Sequence, residues 1–172
     1  SISEATLDLT HFKSENVINM SHMFYSISLK EINFSNFNAK NATDMSYMFN
    51  SCSNLAYLDL TNVYTEKVTN MNHMMICCQS LLSLKFPNSF ITKNVTDMNS
   101  MFQSCESLQS LDLSCFNTEK VTDMNQMFFW CRSLKSLELS NFNTQNVTNM
   151  NNMFYCCESL ISLNLSSFNT QN

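Results

Sequence analysis

Six times along this chain an apolar residue, Thr or Ile, and Asp or Asn lead into Met-x-x-Met-Phe/Met. The blocks centre on Met20, Met45, Met71, Met98, Met124 and Met150, at intervals of 25 to 27 residues. A second block, apolar-x-apolar, returns in step: Leu7/Leu9, Ile32/Phe34, Leu58/Leu60, Leu84/Phe86, Leu111/Leu113, Leu137/Leu139 and Leu163/Leu165. Self-similarity at this period restricts the chain to a solenoid, in which each repeat is one coil stacked on its neighbours. The core is then a rod rather than a globular centre, and residues 1–172 form a single repeat domain of about six to seven coils. The chain starts inside one repeat and stops just before the next, so we expect it to be a fragment of a longer one.

One coil shows how the repeat is built. Met98, Met101, Phe102 and Cys105 stand at i, i+3, i+4 and i+7, the apolar stripe of a short helix. Asp97 precedes them where an N-cap belongs, and Asn19, Asp44, Asn70, Asp123 and Asn149 recur there. Leu108-Gln-Ser-Leu111-Asp-Leu113 then alternates, as a strand with one buried face does. Phe116 closes the coil, and Asn-Thr turns the chain back. The spacing predicts an α/β solenoid with one short helix and one short parallel strand per coil of about 26 residues. Its strands should stack into one long sheet roughly 4.8 Å apart.

Glycine is absent and Pro87 is the single proline. Corners must therefore be turned by Asn, Asp and Ser, which tolerate left-handed backbone or bond to their own backbone; we expect part of the Asn abundance to do glycine's job at positive φ. Pro87 falls just after a strand in the one 27-residue repeat, which reads as a small bulge. Charged residues make up 13 % of the chain, about half the usual share. The net charge of −5 argues against a nucleic-acid partner, which needs a basic stripe. No apolar run approaches the length of a membrane span.

The combined pattern from Met101 to Met124 is Met-Phe-x-x-Cys-x-Ser-Leu-x-Ser-Leu-x-Leu-Ser-x-Phe-Asn-Thr-x-x-Val-Thr-Asp-Met. It resembles the BspA-like leucine-rich-repeat surface proteins, and the likeness runs along essentially the whole chain. Departures are Met75 for Phe, Ile27 for Cys and the insertion near Pro87. The resemblance implies a right-handed leucine-rich-repeat-like coil, display at the cell surface or secretion, and adhesive or recognition roles. It implies no catalytic residues and no cofactor.

Four sets of side chains are candidates for more than scaffold. The outward residues of the strands form two columns, and we take Asp8, Glu31, Asn33, Tyr57, Asp59, Lys85, Asp112, Glu138 and Asn164 as ligand-face candidates, set against a merely solvated sheet. Lys85 interrupts the acidic column, which weakens any calcium role. Five of eight cysteines, Cys52, Cys78, Cys105, Cys131 and Cys157, share one repeat position. Buried thiols, disulfides or a metal site could each explain them; without Cys-x-x-Cys spacing or repeating His, packing is the simplest. The Met columns at helical spacing read as core. Of six Asn-x-Ser/Thr sequons, Asn41, Asn94 and Asn146 share a loop position suited to a glycan.

No phosphate loop, dinucleotide fingerprint or nucleophile elbow can exist without glycine, and no catalytic set recurs. The chain reads as a non-catalytic extracellular or cell-surface protein that binds protein or glycan ligands. The alternative is a structural subunit stacking on itself head-to-tail into a surface filament.

Overall fold

The structure is a computed structural model that describes residues 7–9, 11–34 and 37–169. Its strands are β1 (Leu7–Asp8), β2 (Glu31–Asn33), β3 (Tyr57–Asp59), β4 (Ser83–Lys85), β5 (Ser136–Glu138) and β6 (Ser162–Asn164). Every strand pairing is parallel and joins consecutive strands, with Ile32 beside Leu58 and Leu58 beside Leu84. The middle residue of β2 to β5 is buried and the last one exposed, as alternation predicts. The single long sheet is a correction. A four-stranded sheet, β1 to β4, and a two-stranded sheet, β5 and β6, are separate, and in the coil between them Ser110 makes an isolated bridge to Ser136. The break follows β4, where the extra residue and Pro87, which lacks an N–H, enter the coil.

The predicted helix is also corrected. Among the described residues there is none, and the Met-x-x-Met-Phe segment is a run of tight turns stacked coil on coil. Its N–H groups alternate between two destinations. Met98, Ser100, Phe102 and Ser104 donate to Asp123, Asn125, Met127 and Phe129 of the next coil at 2.8 to 3.0 Å. Met101, Gln103 and Cys105 donate three residues back within their own coil, at 3.1 to 3.3 Å. A helix of two turns would leave four N–H and four C=O groups without intrahelical partners and is marginal by itself. Stacked turns pair those groups across coils instead.

Alternation of this kind requires two left-handed residues per coil. They are His22 and Ser26, Tyr47 and Ser51, His73 and Cys77, Ser100 and Ser104, Gln126 and Trp130, and Asn152 and Cys156, with φ between 54° and 61°. Only Asn152 among them is Asn, so little of the Asn abundance does glycine's job at positive φ. Asn and Asp turn corners by their side chains. The Oδ1 atoms of Asn19, Asp44, Asn70, Asp97, Asp123 and Asn149 each accept from the N–H two residues on, at 2.7 to 3.2 Å. Asn38, Asn117 and Asn143 do the same at another corner. These are Asx turns, so the residues read as helix caps make a cap-like bond and then start a turn.

The inward faces close the rod. Phe24 stacks on Phe49 at 5.5 Å, and Phe102, Phe128 and Phe154 continue that column at 5.7 Å spacing, with buried Met75 filling the gap between. Met98, Met101, Phe102 and Cys105 are each fully buried. A polar column runs inside as well: Thr65, Thr92, Thr118 and Thr144 are buried, and each hydroxyl both donates to a carbonyl and accepts from an N–H of the next coil at 2.7 to 3.1 Å. Ser14 begins this column by accepting from Asn38 N–H, and Ala39 is its one gap.

Candidate functional site

The strand face presents the predicted column in register. Asp8 lies beside Asn33, Asp59 beside Lys85, and Glu138 beside Asn164, because parallel stacking carries each outward residue onto its repeat-mate. Their heads are partly turned back onto the fold. Asp59 accepts from the backbone N–H of Thr61 at 2.9 Å and from its hydroxyl, and Lys85 Nζ stands 3.6 Å from Asp59 Oδ2. The Thr61 hydroxyl, with Lys85 assisting, holds the Asp59 carboxyl below its ordinary pKa. Asp112 accepts from Ser114 N–H at 2.9 Å, and that backbone bond lowers its pKa. Glu138 accepts from Ser140 N–H and, through both oxygens, from Asn164 Nδ2 at 2.8 and 3.0 Å. The side-chain bonds from Ser140 and Asn164 keep it ionised further into acid. Lys85 therefore does more than interrupt the acidic column: it neutralises one member of it.

The nine candidates do not form one site. Asp8, Glu31, Asn33 and Asp59 surround a cleft of about 650 Å³ with Leu7, Ile32, Phe34, Thr61 and Asn62. Tyr57 stands on the same face, in register with Glu31 and 53 % exposed. Asp112 sits in the coil where the sheet is interrupted, and Glu138 and Asn164 lie beyond it on the second sheet. Thr61 and Asn62 were missed because they follow the strand; Phe34 was read only as core. Position alone could have found Thr61, since a residue two after an outward Asp is within reach of its carboxylate.

The three sequon asparagines occupy a structural position. Asn41, Asn94 and Asn146 donate from Nδ2 to Glu15, Glu66 and Glu119 carbonyls of the preceding coil at 2.7 to 2.9 Å. Lys67 and Lys120 donate to the Oδ1 of Asn41 and Asn94 at 2.7 and 2.8 Å. A glycan there would have to share the amide with this ladder. The five aligned cysteines donate S–H to carbonyls of the preceding coil, as Cys105 does to Met75 at 3.4 Å and Cys131 to Phe102 at 3.2 Å. Desolvation raises their pKa, far above the ordinary value for Cys105 and to about 11 for Cys157. They are not nucleophiles in this setting.

Sequence reasoning passed over one cluster altogether. The lone Trp and lone Arg meet on the turn face, with the Arg132 guanidinium 4.6 Å over the Trp130 ring and Phe129 stacked between Trp130 and Tyr155. The available signal was departure from the repeat: neighbouring coils carry Ser104 and Cys156 where Trp130 stands.

The family described as "Mycoplasma protein of unknown function, DUF285" matches residues 1–83 and 87–172. The chain belongs to that family. The match is interrupted beside Pro87, where the sheet also breaks. No curated protein matches this chain. Among solved structures it is similar to a leucine-rich repeat protein from Bacteroides ovatus, at 18 % identity and a TM-score of 0.48, over 86 % of this chain and 41 % of that one. It is also similar to a chain of the TLR13–ssRNA13 complex, at 18 % identity and a TM-score of 0.41, over 88 % of this chain and 23 % of that one. The chain thus spans less than half the length of either structure. Among the described residues, no helix is long and apolar enough to cross a membrane, and no three His, Cys, Asp or Glu side chains converge on a metal position.

Proposed function

We propose that this DUF285 chain is a recognition module, acting without catalysis at the cell surface or outside the cell, and that the exposed face of β1 to β4 takes its protein or glycan ligand. The observation that carries this reading is the cleft assembled by outward side chains of three adjacent strands. Those strands are fixed by parallel pairing, so the side chains around the cleft are held in place before a ligand arrives. The motif's resemblance to BspA-like surface proteins supports the extracellular setting. Strand-face recognition is also what a rigid solenoid offers, since each coil adds one row to an extended surface.

The test is binding of the purified protein to immobilised extracellular-matrix proteins and to a glycan array, repeated with Asp59→Lys and Asp112→Lys. Reversing Asp59 should reduce whatever binding the wild type shows at least tenfold. Binding unchanged in both variants would place the ligand off this face and remove the proposal. Intact mass before and after glycosidase and reductant reports on the compartment, through glycans and disulfides.

A further inference from the structure

The bonds around the break between β4 and Ser110–Asp112 define its shape. On the turn face the two coils are joined: Met71, His73, Met75 and Cys77 N–H groups donate to Asp97, Asn99, Met101 and Gln103 carbonyls at 2.8 to 3.1 Å. At the following corner they are joined again, with the Thr92 hydroxyl accepting from Asn117 N–H at 2.7 Å and Thr122 N–H donating to Thr96 C=O at 2.9 Å. The strand face differs. Ala56, Leu82, Lys135 and Ile161 N–H groups donate to the same repeat position of the preceding coil at 2.9 to 3.1 Å, whereas among the described residues Gln109 makes no such bond to Leu82. Side chains show the same opening. Leu111 is half-buried where Ile32, Leu58 and Leu137 are buried, and Phe86 is half-buried where Leu60, Leu113 and Leu139 are buried. The Phe86 ring spans the break, 4.6 Å from Phe90 in its own coil and 5.0 Å, edge-on, from Phe116 in the next. The cause lies in the spacing. Two residues separate Leu60 from Val63, Leu113 from Phe116 and Leu139 from Phe142, but three, Pro87 to Ser89, separate Phe86 from Phe90. A surplus residue on one face of a close-packed stack separates the coils on that face alone.

We propose that this break is a hinge. The strand face opens and closes between β4 and Ser110–Asp112, with the bonded turn face as its axis and Phe86 as the clasp. Backbone groups without a ladder and half-buried apolar rungs mark the part of a fold that opens first, since little has to be broken to move them. Each coil of a solenoid contacts only its neighbours, so a bend at one junction leaves the packing within either half intact. The hinge divides the exposed face into a β1–β4 panel and a β5–β6 panel, and its angle sets how far apart their outward side chains stand. It goes beyond the recognition role and does not depend on it, because every group invoked lies within the fold.

The experiment is NMR on the full chain without ligand, combining amide exchange with backbone relaxation dispersion, which reads motion on the μs–ms scale. The Gln109 amide should exchange at least tenfold faster than those of Leu82 and Lys135. Residues 109–113 should show dispersion that residues 56–60 lack. Deleting Pro87 restores the two-residue spacing of the other coils. It should pair Gln109 with Leu82, slow exchange at Gln109 at least tenfold and quench the dispersion. Phe86→Ala releases the clasp without changing the spacing, and should increase the dispersion. Gln109 protected as well as its repeat-mates would overturn the opening. Fast exchange with flat dispersion would overturn the hinge in favour of a fixed gap. A deletion variant that folds, by circular dichroism, yet keeps the wild-type dispersion would overturn the surplus residue as the cause. If the deletion variant does not fold, Phe86→Ala decides, and dispersion unchanged in it would overturn the clasp and the hinge with it.

Discussion

Replacing Thr118 by Val tests whether the buried hydroxyl column ties the coils together. Thr118 is 1 % exposed, and its hydroxyl donates to Asn143 C=O at 3.0 Å and accepts from Asn143 N–H at 2.8 Å. Valine is nearly isosteric, so no cavity opens; both Asn143 backbone groups simply lose their partner. A hydrogen bond contributes about 0.5–1.5 kcal/mol net, and a buried polar group left unpaired costs about 1–3 kcal/mol. With Asn143 half-buried, we expect a loss of about 2–3 kcal/mol in all. For a chain of this length that is roughly 5–10 °C in Tm. Thermal and urea unfolding followed by circular dichroism would read the global effect. Hydrogen exchange at the Asn143 amide would read the local one, with protection falling ~30-fold or more. A change below ~0.5 kcal/mol with unaltered exchange at Asn143 would refute the reasoning, since ordinary surface changes fall in that range. The converse substitution is Ala39→Thr, at the gap in the column. It should pair with the Tyr64 backbone of the next coil and stabilise by about 1 kcal/mol.

Phe128 is fully buried between Phe102 and Phe154, so Phe128→Ala should cost about 3–5 kcal/mol in urea unfolding. Gln126 holds φ 55° and donates to Asn151 C=O at 2.9 Å. Gln126→Gly should stabilise by ~0.5–1 kcal/mol, as relief of left-handed strain exceeds the added chain entropy. Gln126→Pro should destabilise strongly at the same position, losing both the φ and the donor. Burial holds His73 below its ordinary pKa, against the opposing Asp97 and Asp123 carboxylates. The unfolded chain therefore binds a proton first on acidification. This contribution is complete above the unfolded value of 6.5 and is lost as pH falls from there towards the lowered folded value. A His73→Gln variant should show a shallower fall in stability over that window. Ellman's reagent should modify half-buried Cys77, Cys115 and Cys156 on the native protein and leave Cys78, Cys105 and Cys131 untouched until denaturant is added.

The burial of Met98, Met101, Phe102 and Cys105 was legible in the sequence, but their conformation was not. A helix and a pair of stacked turns both return to the same side after three and four residues, so one apolar stripe serves either. Discriminating them needs the destination of the Ser100 and Ser104 N–H groups, which is a carbonyl on the next coil. Asp97 shows the same division. Its bond to the N–H two residues on is local and predictable, whereas its bridges to Asn70 and Asp123 exist only because coils stack. At the candidate site, alternation identified the outward column correctly. It could not show that Lys85 would neutralise Asp59, or that a single residue at Pro87 would divide the sheet.

The sequence by itself determined the period, the inward and outward assignment of nearly every side chain, and the parallel stacking of coils. Periodicity carries that information directly, because each coil must bury the same positions on its neighbours. Only the tertiary structure decided turn over helix, the carbonyl partners of the aligned thiols, and a localised acidic cleft over a uniform face. Half of the backbone bonds in each turn segment run between coils, so their geometry is set by the neighbour. No single repeat contains that information.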